Sequence, residues 1–127
     1  MIIIHLTSGA YAINMNKKTK LSDFQIQIDK WIESHGGYWP PLSMLAALLE
    51  ELGEFAREMN MKEGFKPQKQ SNQKNIKNVQ ERLREELSDA LFALICIANY
   101  YNIDLESALQ DTIQKYSTRD TNRFIEK

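Results

Sequence analysis

Four stretches of this chain repeat apolar residues every three or four positions, and none alternates at the two-residue period of a strand. The first carries Phe24, Ile28, Trp31 and Ile32, can be capped by Ser22 or Asp23, and runs to about His35, where Gly36-Gly37 ends it. Tyr38-Trp39-Pro40-Pro41 then forms a stiff aromatic turn, because a proline disfavours helix at the residue before it. The second helix is expected from about Leu42 to Lys62, with Leu45, Leu48, Leu52, Phe55 and Met59 facing the core. Gly53 interrupts its middle, leaving room either for a close helix neighbour or for a ligand. Residues 64–75 are polar and contain Pro67, so they read as a loop.

The third helix is expected from about Ile76 to Tyr101, with Val79, Leu83, Leu87, Ala90, Leu94 and Ile97 on its apolar side. Between Ala90 and Ala98 it is apolar nearly all round, which implies burial on two sides. Asp104 caps a fourth helix, with Glu106 in its first turn. That helix runs to about Tyr116 and delivers Lys115, Arg119 and Arg123 near its end. The expected architecture is all-α and like a four-helix bundle. One small bundle cannot cover this much apolar helix, so an oligomer is expected. Residues 1–20 read as a weakly ordered tail and 21–127 as a single domain.

Two acidic couplets break the apolar stripes. Glu50-Glu51-Leu52-Gly53-Glu54 follows Leu45-Ala46-Ala47-Leu48-Leu49, and Glu85-Glu86-Leu87-Ser88-Asp89 leads into Ala90-Leu91-Phe92. Residues three apart share a helix face, so Glu51 and Glu54, and likewise Glu86 and Asp89, each point two acids one way. Glu58 falls on the same flank as the first pair. If the helices pack side by side, four carboxylates converge. A like-charged pair ~4 Å apart costs roughly 4 kcal/mol at an effective dielectric of ~20. A domain stable by ~5–15 kcal/mol cannot hold several such pairs uncompensated. Either the acids splay into water or a cation sits among them.

The donor set narrows the cation. His5 and His35 do not stand at metal-ligand spacing from these acids, which disfavours iron and zinc and favours an all-oxygen Mg²⁺ or Mn²⁺ site. No glycine-rich phosphate loop and no nucleophile arrangement of Ser, Cys and His is present. The net charge is −1, from 16 basic and 17 acidic residues, giving no basis for broad nucleic-acid or membrane binding. The single cysteine, Cys96, lies in an apolar run and reads as a small buried hydrophobe, in keeping with a cytoplasmic location. The apolar start, residues 1–6, is too short to span a bilayer, and no signal peptide is expected.

From Pro41 to Arg123 the chain resembles the MazG-like all-α nucleoside triphosphate pyrophosphohydrolases. The likeness rests on residues 48–56 (LLEELGEFA), 85–92 (EELSDALF) and 102–109 (NIDLESAL). The resemblance implies that Glu51, Glu54, Glu86 and Asp89 ligate Mg²⁺, with Mn²⁺ as a substitute, and that Glu50 adds an outer-shell ligand or orients water. It implies that Lys115, Tyr116 and Arg119 bind phosphate oxygens. Trp39, with Trp31 and Tyr38, is available to stack on a base, although these aromatics equally suit packing of the first helix onto the bundle. The segment between the couplets, Phe55 to Glu85, stands at or beyond the long end of the family's usual spacing, and Lys66, Lys69 and Lys74 within it either fold over substrate or solvate a loop.

The activity expected is Mg²⁺-dependent cleavage of a (deoxy)nucleoside triphosphate between its α- and β-phosphates, by a homodimer or a homotetramer built from dimers. Two alternatives stay open. One is a related enzyme acting on phosphoribosyl-ATP. The other is a non-enzymatic helical interaction module whose acids pair with Arg57, Arg82 and Arg84.

Overall fold

Local caps set where each helix begins. The structure, a computed structural model, describes residues 18–64 and 78–120. Among them are four helices and no strand: α1 (Leu21–Ser34), α2 (Pro41–Lys62), α3 (Val79–Tyr100) and α4 (Leu105–Asp120). Most of the expected tail, all of the expected loop but Gly64, and Lys66, Lys69, Lys74 and Arg123 lie outside the described residues.

α1 starts at Leu21, ahead of the expected cap at Ser22 or Asp23. Asp23 instead sits in the first turn, where its carboxylate accepts the Lys20 N–H at 2.9 Å. Gly36 and Gly37 close the helix at φ +101 and +86, a backbone region that suits glycine. α2 opens with Pro41 in its first turn, where a missing N–H costs nothing. α3 starts at Val79, later than expected, because Asn78 and Glu81 form a capping box. The Glu81 N–H donates to Asn78 Oδ1 at 2.9 Å, and the Asn78 N–H donates to Glu81 Oε2 at 3.1 Å. Asp104 caps α4 as expected, accepting the Glu106 N–H at 3.1 Å. α4 passes its expected end near Tyr116 and reaches Asp120, since neither glycine nor proline interrupts 117–120. Arg119 is therefore inside the helix.

α2 and α3 make the main packing contact, α1 lies on α3, and α4 rests on α1. The α2–α3 pair is antiparallel. Lys62, at the end of α2, donates to Gln80 near the start of α3, and Glu58 pairs with Arg82 one turn further in. Trp31 ties α1 to α3 through an edge contact with Phe92, ring centres 5.7 Å apart, and stacks on His35 at 4.1 Å. Tyr38 packs edge-on to Tyr100 and donates its hydroxyl to Asp29 at 2.5 Å. Burial, then the Asp29 carboxylate, pushes the Tyr38 phenol well above its usual range. These are packing roles for Trp31 and Tyr38.

Among the described residues the buried apolar set is small: Met44, Ala90, Ile95, Cys96 and Ala98. Burial pushes the Cys96 thiol up to about 11, as befits a small hydrophobe. The expectation that Leu45, Leu52 and Met59 face the chain's own core does not hold, since all three are exposed here. Leu87, Leu91 and Leu94 on α3 are exposed as well. The reason is geometric. A stripe read from helical period says which residues want cover, but α3 alone covers only one side of α2. No helix among the described residues is long and apolar enough to cross a membrane.

A candidate cation site between two antiparallel helices

The antiparallel pairing aligns the couplets. Glu51 and Glu54 come from the middle of α2 and Glu86 from the first half of α3. One carboxylate oxygen from each can be chosen so that all three lie within 4.8 Å of one another. Both helices are Leu-rich around these positions, so the acids are drawn partly out of water.

The electrostatics reflect that crowding. Burial first, then the Glu54 carboxylate, with further repulsion from Glu51 and Asp89, pushes the Glu86 carboxyl up to about 7. Glu51 is also raised, by burial and then by Asp89, Glu54 and Glu50. Asp89 is raised by burial, then by Glu85 and Glu54. One oxygen of Glu86, Oε2, is buried and has no hydrogen-bond partner. A buried acceptor in that state costs free energy unless a ligand reaches it. The donor set is carboxylate oxygen throughout, which suits a hard divalent cation.

The remaining residues singled out from sequence fall in different places. Asp89, one turn beyond Glu86, is exposed and lies outside the three-carboxylate cluster, though close enough to repel Glu51. Glu50 is exposed on the adjoining flank and adds to the repulsion on Glu51. Lys115, Tyr116 and Arg119 form a group of their own on α4. The Lys115 ammonium stands 4.9 Å and the Arg119 guanidinium 4.8 Å from the Tyr116 ring centre, and Arg119 also pairs with Asp120 at 2.9 Å. α4 packs chiefly on α1, whereas the acids belong to α2 and α3. Trp39 is 65 % exposed in the turn before α2. A side chain added at Gly53 would meet nothing within 4 Å, so no close helix neighbour within the described residues explains that glycine.

The sequence places Glu58 on the flank of the acids and offers Arg57 and Arg82 as partners for them, but does not show that Glu58 is buried. Glu58 is 2 % exposed, and its Oε2 accepts from Arg82 Nε at 2.7 Å. Arg57 adds a looser contact to Glu58 at 3.7 Å. The available signal was spacing: Glu58 lies four residues after Glu54, and Arg82 four before Glu86.

Comparison with known proteins places these helices in a family context. Residues 40–124 match the MazG nucleotide pyrophosphohydrolase domain. The Bacillus subtilis protein YpjD, which carries no assigned function, is 40 % identical over 114 residues, spanning 89 % of this chain and 96 % of the relative. The crystal structure of YpjD, named as a candidate pyrophosphatase, is similar with a TM-score of 0.67 and 38 % identity, over 79 % of this chain and 97 % of that one. A Bacillus-conserved MazG protein, described as a nucleotide pyrophosphohydrolase, is similar with a TM-score of 0.66 and 38 % identity, over 82 % and 96 % of the two chains.

Proposed function

The chain belongs to the MazG nucleotide pyrophosphohydrolase family, and on that premise we propose that it cleaves nucleoside triphosphates at the α–β phosphoanhydride, giving a monophosphate and pyrophosphate. The observation that carries this reading is the buried, unpartnered Glu86 Oε2 amid the Glu51 and Glu54 carboxylates. Glu51, Glu54 and Glu86 would hold Mg²⁺, with Asp89 completing the set from the next turn. A bound Mg²⁺ supplies positive charge against the triphosphate and a more acidic water. Phosphoryl chemistry asks little else of side chains than position and charge.

The protein's own groups then have separable tasks. Glu50, on the exposed flank, orients water from outside the ligand set. Lys115 and Arg119, steadied over the Tyr116 ring, bind phosphate oxygens. Trp39 has the open face needed to stack on a base. The exposed leucines of α2 and α3 are covered by a second copy, in a homodimer or a pair of dimers, and the protein works in the cytoplasm on free nucleotides rather than nucleic acid.

Incubating the protein with a panel of nucleoside triphosphates and Mg²⁺ tests this. Pyrophosphate and monophosphate are the expected products, lost on adding EDTA. Release of orthophosphate instead, or cleavage confined to a phosphoribosyl nucleotide, would overturn the assignment.

A further inference from the structure

Across the α2–α3 pair, opposed residues meet in rungs about one helical turn apart. Glu51 lies within electrostatic reach of Asp89, Glu54 of Glu86, Glu58 bonds Arg82, and Lys62 bonds Gln80. Two of these rungs pair acid with acid and repel. The Glu58–Arg82 rung pairs acid with base, and it is the one whose acid is 2 % exposed.

Such a buried pair is a poor source of stability, because removing two charges from water offsets most of their attraction. Its better-attested use is to choose one arrangement among several. Here the competing arrangement is specific. Sliding α3 by one turn along α2 would bring Arg82 opposite Glu54, but also Glu86 opposite Glu50 and Glu85 opposite Glu51. Each register therefore holds two acid–acid rungs, and the couplets by themselves do not choose between them. The slipped register would leave Glu58 opposite Asn78, with the looser 3.7 Å contact of Arg57 in place of the short Arg82 bond.

We propose that the Glu58–Arg82 ion pair is a register lock, positioning Glu54 against Glu86 and keeping the Arg82 guanidinium out of the acidic cluster. The inference rests on the reading of that cluster as a cation site. Glu58 and Arg82 are positioning residues: they act on the cation only through the helices that carry its ligands. The same logic accounts for a buried acid and a base placed one turn outside the couplets.

The test is a double variant, Glu58→Leu with Arg82→Met, in the full-length protein. Three quantities are read: melting temperature with helicity, Mn²⁺ affinity of the nucleotide-free protein by electron paramagnetic resonance, and the Mg²⁺ dependence of pyrophosphate release. The lock predicts unchanged helicity with an equal or higher melting temperature, Mn²⁺ binding weaker by roughly 10–100-fold, and a parallel rise in the Mg²⁺ needed for half-maximal rate. At saturating Mg²⁺ the nucleotide KM should stay near wild type. Arg82→Lys, which keeps the charge, should bind Mn²⁺ nearly as well as wild type. A folded double variant with wild-type Mn²⁺ affinity would overturn the proposal, as would collapse of its helicity or a Lys variant as weak as the double variant. A wild-type protein that neither binds Mn²⁺ nor releases pyrophosphate would instead sink the reading of the acids.

Discussion

Gln25 and Asn99 hold each other by two reciprocal hydrogen bonds. Asn99 Nδ2 donates to the Gln25 carbonyl at 2.9 Å, and Gln25 Nε2 donates to Asn99 Oδ1 at 3.0 Å. Gln25 also donates to the Ile103 carbonyl at 2.8 Å and accepts the Leu105 N–H at 3.0 Å. One buried amide thus joins α1 to the end of α3, the turn at Asn102 (φ +54) and the start of α4. The acids lie elsewhere on α2 and α3, so this joint sets the placement of α4 without touching them.

Replacing Gln25 with Leu leaves the Ile103 carbonyl, the Leu105 N–H and Asn99 Oδ1 without their side-chain partner, while Asn99 Nδ2 keeps its bond to the backbone carbonyl of residue 25. An unsatisfied buried group costs about 1–3 kcal/mol, and about 1 kcal/mol moves the midpoint of a domain of this size by roughly 4–8 °C. The melting temperature should therefore fall by several degrees or more, while Mn²⁺ affinity of the folded protein stays unchanged. Calorimetry beside a Mn²⁺ titration checks both; equal stability in the variant would show that the joint carries no weight.

Charge at the acidic cluster makes stability depend on pH in a definite sense. The Glu86 carboxyl is raised to about 7 in the folded protein from an ordinary value of 4.5. Between those values the unfolded chain gives up the proton that the folded chain keeps. Its contribution to folding is therefore full below 4.5 and is lost as pH rises toward 7. Glu51 and Asp89, also raised, slope the same way. In EDTA the melting temperature should drop across this window, and Glu86→Gln should flatten the drop. Adding Mg²⁺ should stabilise most at the alkaline end, where the ligands are already ionised. A melting temperature in EDTA that rises through this window would contradict the raised carboxyl.

The reach of the sequence differed by level. Helix existence, the Asp104 cap and the convergence of Glu51 and Glu54 with Glu86 were legible, because each depends on spacing within one or two helices. The Asn78–Glu81 box lies in the letters as well, and the apolar period alone, which begins at Ile76, sets the expected start of α3 too early. Gln25 and Glu58 were not legible as buried groups. Helical period sorts residues into faces, but whether a polar residue on a face meets water or a partner depends on the neighbouring helix. The same limit misplaced Leu45, Leu52 and Met59, whose stripe is real although this chain does not cover it.

Those leucines give the third expectation. Leu42 is 79 % and Leu49 61 % exposed, and Leu45, Leu52, Leu87, Leu91 and Leu94 are exposed as well, large apolar side chains on α2 and α3 that a partner surface would cover. A second copy can bury them at roughly 25 cal/mol per Å². Light scattering after gel filtration should report a dimer or tetramer, and Leu49→Glu should shift it toward monomer. A wild-type protein that stays monomeric at micromolar concentration would refute this cover.

Removing single acids separates a cation site from a structural cluster. Glu54→Gln and Asp89→Asn each delete one negative charge from a crowded set while keeping size and hydrogen-bonding capacity. Mg²⁺-dependent pyrophosphate release should fall by more than about 100-fold, since even outer-shell partners of a metal cost 10–100-fold. The metal-free melting temperature should stay level or rise, because each change relieves like-charge repulsion. A structural role makes the opposite forecast: the variants would melt early and lose activity only in proportion to unfolded protein. Measuring melting in EDTA and turnover at saturating Mg²⁺ on the same samples decides between them. If both variants unfold, the acids are holding the helices together, and the cation reading of Glu51, Glu54 and Glu86 falls with that result.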